Sequence, residues 1–295
     1  MKVLVTGANG FVGSALVEHL RAQGHYVVAA TRGQTKNSVA VGVLTSATDW
    51  TLALRGCDAV VHTAARVHQM KEQAADADAL YRETNVEATL NLARQAVVAG
   101  VRRFVFLSSI KAMGEAGRFS EATPCRPEDA YGRSKREAEQ ALQTLAAETG
   151  LEVVILRLPL IYGAGVKGNF RSLMGIVNKG LPLPLGAVRN VRSLLYLGNL
   201  VDLVALCLAQ PAAAGRVWLP SDGADVSTTQ LIRAIAKAMG RNVSLFPVPP
   251  SLMLLAAGFI GKRPAAARLF GDLSVDSSTP PVRAALRDWR EHRKS

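Results

Sequence analysis

Apolar positions in this chain alternate between short continuous runs and stripes at helical spacing, and the alternation repeats for the first half of its length. Val3-Leu-Val5 is a continuous run of the kind a parallel strand shows when both faces are covered. Thr6 to Gly13 follow with three glycines spaced G-x-x-G-x-x-G, and Phe11, Val12, Ala15, Leu16 and Leu20 then recur with helical period. Gln23-Gly24 reads as the helix stop, and His25 to Ala30 as a second strand. Val39 to Leu44 is a candidate third strand, and Asp49-Trp50 a short helix start. Asp58 to Ala65 predicts a strand that runs into small residues. Arg66 to Gly100 is helix-forming, with Asn85, Ala88, Leu92, Val97 and Val98 as its inward stripe. Arg102 to Leu107 predicts the strand that delivers Ser108-Ser109, Ala130 to Ala147 a helix, and Leu151 to Leu158 a further strand. This order predicts an α/β fold, a Rossmann-type doubly wound parallel sheet over residues 1–160.

Beyond Leu158 the pattern loosens. Gly163-Ala-Gly165, Gly180 to Pro184, Pro247 to Pro250 and Pro280-Pro281 break it into short elements. We expect a smaller C-terminal α/β substrate-binding domain over 161–295, with 197–220 rejoining the first domain as a helix (Leu197 to Gln210) and a strand (Arg216 to Leu219). The longest apolar run, Leu252 to Ile260, is far shorter than the ~20 residues that span a bilayer and reads as a buried helix.

Charge and cysteine usage narrow the partners. The 295 residues carry 35 basic and 23 acidic side chains, a formal +12 that suits an anionic partner. No module combining aromatic and basic residues for nucleic acid is visible, and Arg283, Arg287, Arg290, His292, Arg293 and Lys294 read as a solvated basic end. Cys57, Cys125 and Cys207 have neither metal-ligand spacing nor a disulfide framework. Met1 leads straight into the first strand, leaving no room for a targeting segment, so a cytoplasmic protein is expected, with no metal and no membrane insertion.

The glycine turn is the first candidate site. Gly7 allows a sharp turn off the strand, Gly10 a close backbone approach to a pyrophosphate, and Gly13 close packing of the helix on the sheet. The helix N-terminus then points its free N–H groups at the phosphates. After the second strand stands Thr31-Arg32-Gly33 rather than a carboxylate, so Arg32 favours the 2′-phosphate of NADP(H), with NAD(H) still possible. The second candidate is Tyr131-Gly-Arg-Ser-Lys135, which puts a phenol and an ammonium on one helix face, where the cation would lower the phenol's pKa. Ser109, at the carboxyl end of its strand, would face them.

These motifs together resemble the extended short-chain dehydrogenase/reductase family, whose members open T-G-x-x-G-F/Y-[IV]-G. That resemblance implies Ser109, Tyr131 and Lys135 as catalytic residues. It implies a cofactor site from Gly7, Asn9, Gly10, Phe11, Val12, Gly13, Arg32, Leu44, Thr63, Ala64, Ala65, Asn85, Leu107, Tyr131, Lys135 and Leu158. Arg157-Leu-Pro-Leu-Ile-Tyr-Gly163 resembles the family's R-x-x-x-[VI]-Y-G, and Ser109, Lys111, Asn169 and Arg192 are its implied substrate contacts. Ser-Ser-Ile-Lys at 108–111 looks like bacterial reductases of UDP-4-keto-6-deoxy-N-acetylhexosamines in surface-polysaccharide synthesis. The implied substrate is a UDP-sugar acted on at C4, by reduction first and by 4-epimerisation as the alternative. A non-enzymatic NADP-binding regulator is the reading of another class. Ile110 and Lys111 stand where a dehydratase has its Asp-Glu pair, which disfavours elimination. The helices after the fourth and fifth strands could pair two copies as a homodimer.

Overall fold

The computed structural model describes residues 1–67 and 77–276, and the side chains of Asn169, Pro264 and Ala265 also lie outside what is described. The basic end at 283–294 and the front of the Arg66 to Gly100 helix therefore fall outside it. In chain order the elements are β1 (Lys2–Thr6), α1 (Phe11–Ala22), β2 (Tyr26–Thr31), β3 (Val39–Ala40), α2 (Thr51–Leu54), β4 (Ala59–His62), α3 (Ala77–Arg82), a π-helical turn (Glu83–Glu87), α4 (Ala88–Val98) and β5 (Arg103–Ser109). They continue as a 3-10 turn (Ile110–Ala112), β6 (Gly117–Phe119), α5 (Ala130–Thr149), β7 (Glu152–Leu158), β8 (Leu160–Tyr162), α6 (Gly168–Asn178), β9 (Leu194–Tyr196) and α7 (Leu197–Ala209). After a 3-10 turn at Pro211–Ala213 come β10 (Val217–Trp218), α8 (Thr228–Ala238), α9 (Pro250–Phe259), α10 (Arg263–Phe270) and β11 (Leu273–Val275).

Seven strands pair in parallel in the order β10-β7-β5-β4-β1-β2-β3. The chain winds outward from β1 in one direction and from β4 in the other, so the β1/β4 boundary is the switch point, outside whose carboxyl ends a crevice opens. The period-two alternation of a strand divides the core. Val3, Val5, Val105, Leu107, Val154 and Leu156 face one side with Leu16, Leu20, Leu200 and Val204 of α1 and α7. Leu4, Val60, Phe104, Phe106, Val153 and Ile155 face the other with Leu92, Ala96, Ala138 and Leu142 of α4 and α5. Buried Arg103 ties the sheet to α7, donating to the carbonyls of Cys207 and Gln210 and to Glu152 at 2.6 Å.

β10 joins the main sheet beside β7, whereas β8 pairs with β9 and β6 with β11 in two small sheets. Three expectations need correction. β3 stops at Ala40 because Gly42 turns at φ 70. Val98, placed on the inward stripe, is 89% exposed. No residue of α9 is buried, although its composition suggested a covered helix.

Candidate active site

Gly7 turns the chain off β1 at φ 64, and its carbonyl accepts the Gly10 N–H at 2.8 Å. A Cβ on Gly13 would stand 2.2 Å from the Gly7 carbonyl oxygen, and one on Gly7 2.9 Å from the Ala64 nitrogen. Both positions exclude a side chain, so α1 starts pressed against the end of β1. Gly10 is its N-cap and offers no capping side chain, so the first-turn N–H groups are left to a ligand. Asn9 is exposed at the turn, Phe11 and Val12 are half-buried, and Thr63, Ala64 and Ala65 lie half-buried across the switch point. Leu107, two residues before the end of β5, and Leu158, the last of β7, lie in the core beneath. The cradle fits a dinucleotide pyrophosphate. Arg32 is exposed directly after β2, while Leu44 is half-buried against the core.

Ser109 ends β5 and caps the following turn, its Oγ accepting from the Lys111 N–H at 3.2 Å. Tyr131, in the first turn of α5, lies beside Ser109, whose hydroxyl favours the phenolate. A Cβ on Gly132 would fall 2.4 Å from the Lys111 carbonyl oxygen, so this glycine lets α5 reach the serine turn. Lys135, one turn further on, is 2% exposed with its Nζ 4.2 Å from the centre of the Phe106 ring. Burial pushes its pKa down to about 7 against the pull of Glu139. Tyr131 goes up to about 12 through burial and the charges of Asp129 and Tyr81, opposed by the Ser109 hydroxyl. The expected lowering of the tyrosine by Lys135 is thus absent, because both groups are desolvated. A bound polar ligand that restores the ammonium's charge would reverse the direction.

Behind these groups runs a buried hydrogen-bonded chain. His62 ends β4 at 1% exposure, with Nδ1 2.8 Å from Thr6 Oγ1 and Nε2 3.0 Å from Thr89 Oγ1. Thr89 donates its one proton to the Asn85 carbonyl at 2.8 Å, so it accepts from His62 Nε2–H. His62 Nδ1 then accepts from Thr6, whose Oγ1 accepts the Ala64 N–H at 3.2 Å. Asn85 sits in the π turn, accepts the Arg66 N–H at 2.8 Å, and donates to the Arg66 carbonyl at 3.1 Å and Ser134 Oγ at 3.0 Å. Ser134 donates to the Tyr131 carbonyl. The chain links the glycine cradle to the helix that carries Tyr131. Asn85, implied as a cofactor contact, spends its amide on this bracing.

Glu139, fully buried one turn after Lys135, accepts from Ser108 Oγ at 2.6 Å and from Arg157 at 2.7 to 3.2 Å. Residue types alone gave no signal for His62, Ser134 or Glu139, because their partners lie 18 to 56 residues away.

The implied substrate contacts are less well gathered. Lys111 is held by Glu115 at 2.8 Å and Asp129 at 2.6 Å, and Asp129 caps α5 through the Gly132 N–H. It clamps the loop instead of standing free. Arg192 donates to the Arg268 carbonyl at 2.7 Å at the end of α10, its pKa lowered by burial. Asn169 lies in α6, with its side chain outside the described residues. No cluster of metal-ligating side chains occurs among the described residues, and no helix among them is long and apolar enough to cross a membrane.

Residues 3–219 match the NAD dependent epimerase/dehydratase family. A UDP-glucose 4-epimerase from Vibrio cholerae is 43% identical over 286 residues, spanning 94% of this chain and 87% of its own length. An N-acetyl-alpha-D-glucosaminyl-diphospho-ditrans,octacis-undecaprenol 4-epimerase from Escherichia coli O157:H7 is 28% identical over 267 residues, or 86% of this chain and 77% of the relative. MoeE5, solved in complex with UDP-glucuronic acid and NAD, superposes with a TM-score of 0.76 at 25% identity, covering 97% of this chain and 93% of that one.

Proposed function

The chain belongs to the NAD dependent epimerase/dehydratase family and is an extended short-chain dehydrogenase/reductase, and on that premise we propose that it is a 4-epimerase of a UDP-hexose or UDP-N-acetylhexosamine. The observation that carries this reading is Tyr131, set beside Ser109 at the carboxyl end of β5 and sharing a helix face with buried Lys135, next to a glycine cradle for a dinucleotide.

A bound nicotinamide would supply hydride acceptance and donation at the sugar carbon. Gly7, Gly10 and Gly13 would hold its pyrophosphate. With the cofactor bound and the Lys135 ammonium charged, Tyr131 as its phenolate would take the proton of the 4-hydroxyl as oxidation proceeds, Ser109 would fix the oxygen, and Lys135 would stabilise the phenolate. Hydride returned to the opposite face of C4, with the Tyr131 proton returned to the oxygen, would give the C4 epimer. No net cofactor turnover results.

Reading the sequence by itself put 4-keto reduction and NADP(H) first; the epimerase and NAD named for the relatives support the other order. One observation still favours the reductase: Arg32, exposed after β2 where a carboxylate would suit NAD. A charge-assisted bond to a 2′-phosphate is worth about 1.5–3 kcal/mol, so Arg32→Ala would weaken NADPH by roughly ten- to a hundred-fold if the reductase reading holds, with NADH little changed.

The deciding experiment incubates the enzyme with UDP-sugars without added cofactor and follows C4 configuration by proton NMR, then denatures it and assays released NAD. Interconverted epimers and released NAD support the proposal, with Tyr131→Phe inactive. No epimer formation, with NADPH consumed only when a UDP-4-keto-6-deoxy-N-acetylhexosamine is added, overturns it in favour of the reductase. Cofactor binding without either reaction leaves the regulator.

A further inference from the structure

Helix α9 should not be bare. Its sequence, Pro-Ser-Leu-Met-Leu-Leu-Ala-Ala-Gly-Phe, contains no charge, yet none of its ten residues is buried. Met253 leans on the small core formed with α6 and α8, which fixes the helix on one side. Leu252, Leu255 and Phe259 recur at spacings of three and four and form the opposite stripe. They are 57%, 61% and 85% exposed, and Ile260, the residue that ends the helix, is 68% exposed beside them. Helices of soluble proteins turn such stripes inward, and a contiguous apolar face left outward marks a docking surface.

The charge around the stripe says what docks. No acidic residue occurs between Asp225 and Asp272, while Lys262, Arg263 and Arg268 follow the stripe directly. Residues 161–271 hold twelve basic and three acidic side chains, and Lys262 and Arg263 of that excess are exposed next to the stripe. A second copy docked through the same face would bring two Lys262/Arg263 clusters into one interface, with no acidic residue of 226–271 to pair them. An anionic bilayer surface answers both features at once, taking Leu, Phe and Ile side chains into the acyl boundary and the cations at its headgroups. The helix is too short to span, since ten residues rise ~15 Å against a ~30 Å core, so it would lie in the interface.

We propose that the face formed by Leu252, Leu255, Phe259 and Ile260 with Lys262 and Arg263 docks the protein on anionic membrane surfaces. This holds whichever sugar reaction the site performs. It also orients the site: Arg268 of α10 lies 3.2 Å from Glu115, Glu115 pairs with Lys111, and Lys111 pairs with Asp129 at the head of α5. Helix α10, which begins at Arg263 of the docked face, therefore carries at Arg268 the end of an ion-pair chain that reaches the turn bearing Tyr131.

The test is co-sedimentation of the full-length protein with vesicles of phosphatidylglycerol and phosphatidylcholine, and with phosphatidylcholine alone. Binding is expected at least about tenfold tighter to the anionic vesicles and weakened by salt. Leu255→Asp with Phe259→Asp should lower binding by more than about tenfold. Lys262→Glu with Arg263→Glu should remove most of the anionic preference. All four side chains are exposed, and an unchanged thermal melt verifies folding in each variant. Absence of binding to anionic vesicles at low salt overturns the proposal, as does binding that survives the Leu255→Asp, Phe259→Asp change. A wild-type dimer in sedimentation velocity that this change dissociates, without vesicle binding, would assign the face to a second copy and equally overturn it.

Discussion

His62 gives the buried network a measurable signature in acid. Burial, followed by the charge of Lys135, lowers its pKa from 6.5 to about 3. A second ring proton would sit on Nδ1 facing Thr6 Oγ1, and the threonine's own proton would lose its acceptor. The native state therefore stays unprotonated where the unfolded chain takes up a proton, and stability must fall as pH drops from 6.5 towards 3. From these two values the loss is about 1.3 kcal/mol at about pH 5.5 and about 2.5 kcal/mol at about pH 4.5, relative to neutral pH. In His62→Phe that loss is gone. The variant carries instead a pH-independent cost of about 1–3 kcal/mol for the hydrogen bonds lost by Thr6 and Thr89. Urea unfolding of both proteins at the three pH values reads the difference in slope, with all other titrating groups held in common. Parallel stability curves would refute the reasoning, since they would mean that the ring is hydrated and titrates as it does in the unfolded chain.

Three further outcomes follow from the same geometry. Gly13→Ala drives a methyl into the Gly7 carbonyl and should cost about 1–3 kcal/mol in urea unfolding, with nucleotide binding lost in titration. Glu139→Gln leaves the buried Arg157 guanidinium without its carboxylate and should destabilise by about 3–5 kcal/mol, read by the same unfolding assay. Lys135→Met should stabilise the cofactor-free protein most at and below neutral pH. Because the folded pKa of about 7 lies below the free value of 10.5, the native state sheds a proton that the unfolded chain keeps, so the advantage of the variant should shrink across pH 7 to 10.5.

What could be read without coordinates was what local pattern determines. Val3-Leu-Val5, Phe104-Val-Phe-Leu107 and Val153-Val-Ile-Leu156 are continuous apolar runs because a parallel sheet covered on both faces needs them, and all three are central strands. The glycine turn and the Tyr131/Lys135 face were legible for the same reason: their geometry is set within eight residues. Errors arose where phase or distance intervened. Ala96 continues the buried stripe from Leu92, whereas Val98, six residues on from Leu92, comes round to the far side of α4. The π turn at Glu83–Glu87 has no sequence mark, yet it brings Asn85 to Arg66 and Ser134. Lys111 reads as a free cation until the fold places Asp129 beside it.

The apolar run at 252–260 shows the limit most plainly, because its composition says that it will be covered and not by what. In α7 the same richness in leucine is buried against α1, since the chain itself supplies the facing surface. In α9 the described chain half-covers Met253, Leu254 and Ala257, and the outer stripe faces solvent beside an acid-free stretch. Hydrophobic burial acts on area, not on identity of the partner, so the same free energy that seats α7 in the core favours a bilayer for α9. The charge decides between the surfaces that could cover it, since Lys262 and Arg263 find no acidic partner on the 226–271 stretch of a second copy and are attracted by phosphate headgroups.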